Sequence, residues 1–247
     1  MQRIVIGCLV ALFIASASFA AARRHVARPP AASQTSSGGD CFVFGLVTPG
    51  TKATYLSTTS GGNVNFTITW LSDTLTQTKT TQHVVTPQAT SDVETTLDGV
   101  VQGDLRGLKH IHIRTTTAVP IIGNTVLDAD VDFVPALVAG PAEGWCTGAI
   151  WTVPATTETV VSNSLVGQTS QIVTTIASEG SVLAVGESIT VPGGTFRTVK
   201  YKSSIVSGTS VQPAITWTSM DRSIVVRQDT LDAAGNVTTT TQLTALQ

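Results

Sequence analysis

The sequence predicts an all-β protein with few or no long helices: an antiparallel, strongly curved sheet or a half-open β-barrel. Three observations predict it. Only 12% of the 247 residues are charged, about half the usual share, so the surface is carried by Thr, Ser, Gln and Asn. These residues, mixed with abundant Val and Ile, favour strands over helices. Turn residues then cut the chain into short pieces, at Asp98-Gly99, Gly123-Asn124, Gly193-Gly194 and Gly235-Asn236.

The first 22 residues are set apart. Arg3 precedes an apolar run from Ile4 to Phe19 and small residues ending at Ala20 or Ala22, the pattern of a cleaved secretory signal. An uncleaved anchor is the alternative, and would be the chain's one route to a membrane. Arg23, Arg24 and Arg28 beyond the run resist export and argue against a simple leader. Residues 23–40 lack apolar periodicity and end in a Pro/Ala/Ser/Gly-rich stretch, so they read as a disordered tether. The remainder, 41–247, is expected to be one β-rich domain. The whole places the protein outside the cytoplasm, in the periplasm or the extracellular space.

Cys8 leaves with the signal, so Cys41 and Cys146 remain. An even pair in an exported chain points to one disulfide; spacing alone leaves two separate buried thiols as the alternative. Removing Arg3 leaves 13 cations against 16 acids, a poor electrostatic match to nucleic acid.

Along the domain, Thr51–Ser57 and Val64–Trp70 form a hairpin, because Val64, Phe66, Ile68 and Trp70 alternate with polar residues. The Thr-rich stretch from Asp73 to Thr96 is either two exposed strands or partly a loop. Leu108–Arg114 and Leu127–Phe133 are expected to pair as antiparallel strands. The Pro/Gly-interrupted segment Val134–Trp145 reads as a crossing loop in one continuous sheet system rather than a domain border. Ile-Thr-Trp recurs at 68–70 and 215–217, and Thr-Val-Pro at 152–154 and 190–192, but the two offsets disagree and no duplication follows. Pro192, Gly193 and Gly194 make a turn, after which Val199 and Tyr201 share a buried face and Lys200 and Lys202 a solvated one, as on a lysine-guarded sheet edge with Arg197 nearby.

Three segments carry a resemblance. CFVFGLVTPGTKATY (Cys41–Tyr55), ITVPGGTFRTVKY (Ile189–Tyr201) and ITWTSMDRSIVVR (Ile215–Arg227) followed by Gly235-Asn-Val-Thr together resemble TapB-like bacterial envelope and secreted proteins, a group related in fold to the LolA/LolB lipoprotein carriers. The resemblance implies a curved antiparallel sheet enclosing an apolar cavity, and no catalytic residue. Ser219–Ser223 departs from it, standing where that group tends to have a glycine-containing turn.

Chemistry is sparse. There is no Gly-x-Ser-x-Gly, His-Glu-x-x-His, phosphate-binding glycine loop or Ser-x-x-Lys. His25 sits in the tether and His83 in the Thr-rich stretch, leaving His110 and His112. Two residues apart on a strand, they share one face and could offer two ligands to zinc or copper, with Asp130 as a third. Asp128, Asp130 and Asp132 start like a calcium loop, but Phe133 at the sixth position and Ala139 at the twelfth exclude one. Pairing the two strands gives a plainer account: His110, His112 and Arg114 face Asp132, Asp130 and Asp128 on the surface, while Ile111 and Ile113 pack inward.

The leading expectation is an exported, non-enzymatic protein without a cofactor, binding a lipid or another apolar or amphipathic ligand against Phe66, Trp70, Val199, Tyr201 and Trp217. A structural or adhesion module using exposed edge strands is the second reading. A metal-binding protein or metal-dependent enzyme centred on His110, His112 and Asp130 is the third.

Overall fold

The computed structural model describes residues 41–86, 89–119, 123–142, 144–163, 169–207 and 210–247. The expected signal and tether, with Cys8 and His25, lie outside them. Among the described residues there are fourteen strands and no helix: β1 (Cys41–Phe42), β2 (Lys52–Thr59), β3 (Gly62–Asp73), β4 (Gln77–Val85), β5 (Thr90–Gln102), β6 (Leu105–Val119), β7 (Gly123–Pro141), β8 (Trp145–Cys146), β9 (Ile150–Asn163), β10 (Thr169–Val191), β11 (Gly194–Ser207), β12 (Ser210–Ser219), β13 (Val225–Leu231) and β14 (Val237–Leu246). The all-β antiparallel expectation is borne out, and the sheet closes completely. Twelve strands form a barrel in the order β10-β11-β12-β13-β14-β2-β3-β4-β5-β6-β7-β9, and β1 pairs β8 separately.

Closure corrects one reading. β11 pairs with β10 on one side and β12 on the other, so Lys200 and Lys202 do not guard an edge. Two strands, β4 and β5, also settle the Asp73–Thr96 ambiguity. The expected loop at Val134–Trp145 is largely strand, since β7 runs to Pro141. Pro135 is tolerated because β7 stops pairing with β9 at Val134 and its ladder to β6 skips from Asp132 to Leu137.

The wall obeys a strict alternation. Tyr55 faces Phe66, Phe66 faces Val84, Leu97 faces Ile111 and Ile111 faces Val131, all pointing inward. Their sequence neighbours point out and are mostly Thr, Asn, His or Asp, with Leu56 and Val85 as apolar exceptions. The inner face packs into two clusters. The larger gathers Tyr55, Phe66, Ile68, Trp70, Leu97, Ile111, Phe133 and Leu243; the smaller gathers Phe44, Trp145, Trp151, Val182, Val199 and Tyr201.

One end of the barrel is shut by the chain preceding β2. Phe44 stands edge-on to Trp145 at 5.1 Å, and Trp145 meets Trp151 at 5.7 Å and Tyr201 at 4.9 Å. The Val47 amide donates to Asp73 Oδ2 (2.8 Å), as does the Thr78 hydroxyl to Oδ1 (2.6 Å), so a partly desolvated carboxylate fastens this plug to β3 and β4. Cys41 and Cys146 are disulfide-bonded across β1 and β8. The turn at Pro192-Gly193 shows two different uses of glycine. Gly194 takes φ +133, whereas Gly193 must be small because a Cβ there would sit 3.0 Å from the Leu243 carbonyl oxygen.

Inside the filled region the amide of Gln82 is fully buried on β4, and neither its nitrogen nor its oxygen makes a hydrogen bond. Replacing it with methionine, of similar length and apolar, should raise stability by about 1–3 kcal/mol in urea melts. An unchanged or lower midpoint would show that the amide is satisfied after all.

Candidate functional site

The outer wall of β4–β7 carries most of the paired charge. His110 Nδ1 lies 2.8 Å from Asp132 Oδ1, and His112 Nδ1 lies 2.8 Å from Asp130 Oδ1; His83 Nδ1 meets Asp92 at 2.6 Å. An ionised carboxylate only accepts, so each Nδ1 carries the proton and donates. The register is the expected one: His110 opposite Asp132, His112 opposite Asp130, Arg114 opposite Asp128, with Ile111 and Ile113 turned to the core. The Arg114–Asp128 contact is loose, 3.9 Å from Nε to Oδ1. His110, His112 and Asp130 are thus brought together, His110 Nε2 lying 3.5 Å from Asp130 Oδ1. Their arrangement is a cross-strand ladder, and among the described residues no group of three or more His, Cys, Asp or Glu is placed to hold a metal ion.

Exposed cross-strand pairs of this kind contribute roughly 0.2–1 kcal/mol each. His110→Ala should therefore cost less than about 1 kcal/mol, while Ile111→Ala, emptying a site only 3% exposed, should cost about 2–5 kcal/mol. Equal losses in chemical denaturation would mean that the faces are assigned the wrong way round.

The five aromatic and apolar residues expected to line a cavity divide. Phe66, Trp70, Val199 and Tyr201 do face inward, but they are packed against one another's neighbours as core. Trp217 is buried as well, 8% exposed and counted with the larger cluster, but by register it stands opposite Lys200 and Arg227 while its neighbour Thr216 stands opposite Tyr201. Lys200 Nζ and Arg227 Cζ stand 5.0 and 5.2 Å from its ring centroid, a double cation–π contact. An alternation read from sequence cannot tell which phase of a Thr-Trp-Thr run points in.

Toward the end opposite the plug the described inward positions are less buried. There the inward positions stay apolar but lose their cover. Val84, Val93 and Val160 are partly buried against the large cluster, while Leu127 is 37% exposed and Ile172, opposite Val160, is 60% exposed. Ser91, Thr115, Thr117 and Thr174 complete the inner surface by register. The result is a cup with an apolar floor at Phe66 and hydroxyl-bearing walls.

One ionisable side chain faces into this cup. Glu158 on β9 lies between the inward residues Thr156 and Val160, opposite Phe133 on β7 and Thr174 on β10. Burial pushes its carboxyl above the ordinary value of 4.5. Sequence reasoning missed it because Val160 and Val161 are adjacent valines, which hides the phase of β9, and a register shift between Ile176 and Ser178 disturbs the neighbouring strand. Since the folded state favours the protonated form, ionisation opposes folding above that raised value, and the penalty vanishes below 4.5. Glu158→Gln should thus be slightly more stable than the parent at neutral pH, the gap closing toward pH 4. A gap that widened on acidification would contradict this sign.

Fold and site together define a closed antiparallel barrel, plugged at one end and cupped at the other. No protein family matches the chain, and no curated protein matches it. A solved structure from Bacteroides fragilis, described as a candidate exported protein with a YmcC-like fold, aligns over 84% of this chain and 100% of its own, at 10% identity and a TM-score of 0.37.

Proposed function

We propose that the protein is an exported, non-enzymatic barrel that holds an apolar or amphipathic ligand, such as a lipid, in the cup at its open end. The observation that carries this reading is the inner surface at that end, where Leu127 and Ile172 are exposed and the Val84–Val93–Val160 wall is only partly buried. Export is supported by the N-terminal sequence pattern and by the Cys41–Cys146 bond, which persists in oxidising compartments, periplasmic or extracellular. The TapB-like resemblance, resting on its three motifs, agrees with such a protein.

The barrel is not built to sit in a bilayer. A membrane-spanning barrel is apolar outside and polar inside, whereas here His110, His112, Asp130 and Asp132 lie on the outer wall and Ile111, Ile113 and Val131 on the inner. Closure also removes, from the described barrel, the edge strands on which an adhesion module would rely.

Native mass spectrometry with 1-dodecanol, a neutral probe with an apolar chain, tests the reading. One molecule per barrel is expected, with weaker uptake by Leu127→Glu. No uptake, or uptake indifferent to that substitution, would overturn it.

A further inference from the structure

The cup has a chemical polarity of its own. Its inner surface is apolar or hydroxyl-bearing except at Glu158, and among the described residues Glu158 has no hydrogen-bonding or ion-pairing partner. Glu94 and Glu179 likewise have no partner among the described residues, but both are exposed to water whereas Glu158 is half-buried; several other carboxylates are paired. Asp92, Asp130 and Asp132 each hold a histidine, Glu187 stands near Lys200, and Asp229 receives two bonds from Arg227.

Among the described residues no cation shares the cup with it. Arg114, Lys200, Lys202 and Arg227 all alternate with inward residues and occupy the outer face: Arg114 follows the inward Ile113, Lys200 and Lys202 flank Tyr201, and Arg227 precedes Gln228, whose amide donates to the inward Thr216. Among the described residues of the connections at this end, 60–61, 86, 89 and 232–236, there is Asp232 and no lysine or arginine. The field inside the cup is therefore negative, and an anionic head group entering it would meet like charge with no counter-ion.

A carboxylate placed half-dry against Phe133 with no partner opposes folding, whereas Thr174 across from it on β10 and Thr156 before it on β9 carry uncharged hydroxyls without that cost. Such a group gains its compensation when a cation arrives. We propose that Glu158 anchors the polar end of the cup's ligand, and that this end is a primary ammonium or another cationic group carried on an apolar chain. The chain lies along Val160, Ile172 and Leu127; the ammonium donates to the Glu158 carboxylate and to the hydroxyl of Thr174 beside it. This assignment rests on the cup holding an apolar chain at all.

Three probes of equal chain length separate the two claims: dodecylamine, 1-dodecanol and dodecanoate, titrated calorimetrically into the full barrel at neutral pH and below their aggregation concentrations. Dodecylamine should bind about tenfold more tightly than dodecanol, the size of one charge-assisted contact, and dodecanoate most weakly. Glu158→Gln, nearly isosteric, should bring dodecylamine to the level of dodecanol while leaving dodecanol unchanged. Glu158→Lys should shift the preference toward dodecanoate, with circular dichroism confirming the fold of both variants. If dodecanol binds but dodecylamine gains nothing, or keeps its advantage in Glu158→Gln, the anchor assignment falls and the cup reading stands. If none of the three binds the parent protein, both fall.

Discussion

Gly180→Ala should destabilise the barrel by about 3–5 kcal/mol, the cost of losing a buried tryptophan's packing, although it adds a single methyl group. Gly180 sits on β10 opposite Trp151 of β9, and the indole lies flat over the glycine: a Cβ there would be 2.1 Å from Trp151 Cζ2 and 2.4 Å from Cε2. Neither partner can yield cheaply. Gly180 is fixed in two ladders, to β9 and to β11, and Trp151 is locked into the small cluster with Trp145, Tyr201 and Val182. The methyl group therefore expels the indole and opens a void beside the plug. Gly45→Ala is the matched control, because a Cβ at Gly45 would meet only Ser223 Oγ at 3.7 Å, an ordinary contact. It should change stability by no more than about 0.5 kcal/mol. Urea denaturation followed by tryptophan fluorescence checks both; similar midpoints for the two variants would mean that Trp151 does not cover Gly180.

Removing the disulfide should have an effect of the same order. Cys41 and Cys146 are 105 residues apart, so the bond closes a loop that spans β2 to β7, and the chain-entropy account gives about 4–5 kcal/mol for such a loop. The structural consequence is local. Cys41 anchors the start of the plug, and Phe42 and Phe44, 5.2 Å apart, follow it into the aromatic cluster. In the Cys41→Ser/Cys146→Ser double variant the plug residues lose their tether, so protection from hydrogen exchange should fall at residues 42–47 before it falls on β5 or β6. A denaturation midpoint unaffected by reductant would show that the bond is absent from the folded protein.

The parts of this molecule legible in its sequence are those where alternation is unbroken. Val64-Asn-Phe-Thr-Ile-Thr-Trp70 shows its buried face directly, and the pair His110-Ile-His112 with Asp130-Val-Asp132 fixes both register and orientation, because a slip of one residue would send the isoleucines into water and the charges into the core. Completeness of closure was not legible. Whether β14 meets β2 depends on contacts between segments at opposite ends of the domain that carry no charge pair to mark their register, and Thr-rich strands of similar composition do not specify their neighbours by pattern. Trp217 and Glu158 were lost for one shared reason. Register shifts between Trp217 and Thr218, and between Ile176 and Ser178, change which alternate residue points in, and the run of residues along either strand does not display them.

The disposition of polar groups gives the fold its functional meaning. On the outer wall Asp92, Asp130 and Asp132 are compensated across strands by histidines, so they set register at little gain in stability. The one carboxyl in the cup is left uncompensated, at a small loss of stability. A site that trades stability for an unmet interaction is the expected signature of binding.

The most direct test is methyl NMR of the barrel titrated with 1-dodecanol. A cup above a filled floor predicts chemical-shift changes at Val84, Val93, Leu127, Val160 and Ile172, fading at Leu97 and Ile111 and absent at Val199 beside the plug. Shifts centred on Val199 and Val182, or none at the five cup residues while dodecanol binds elsewhere, would contradict the account.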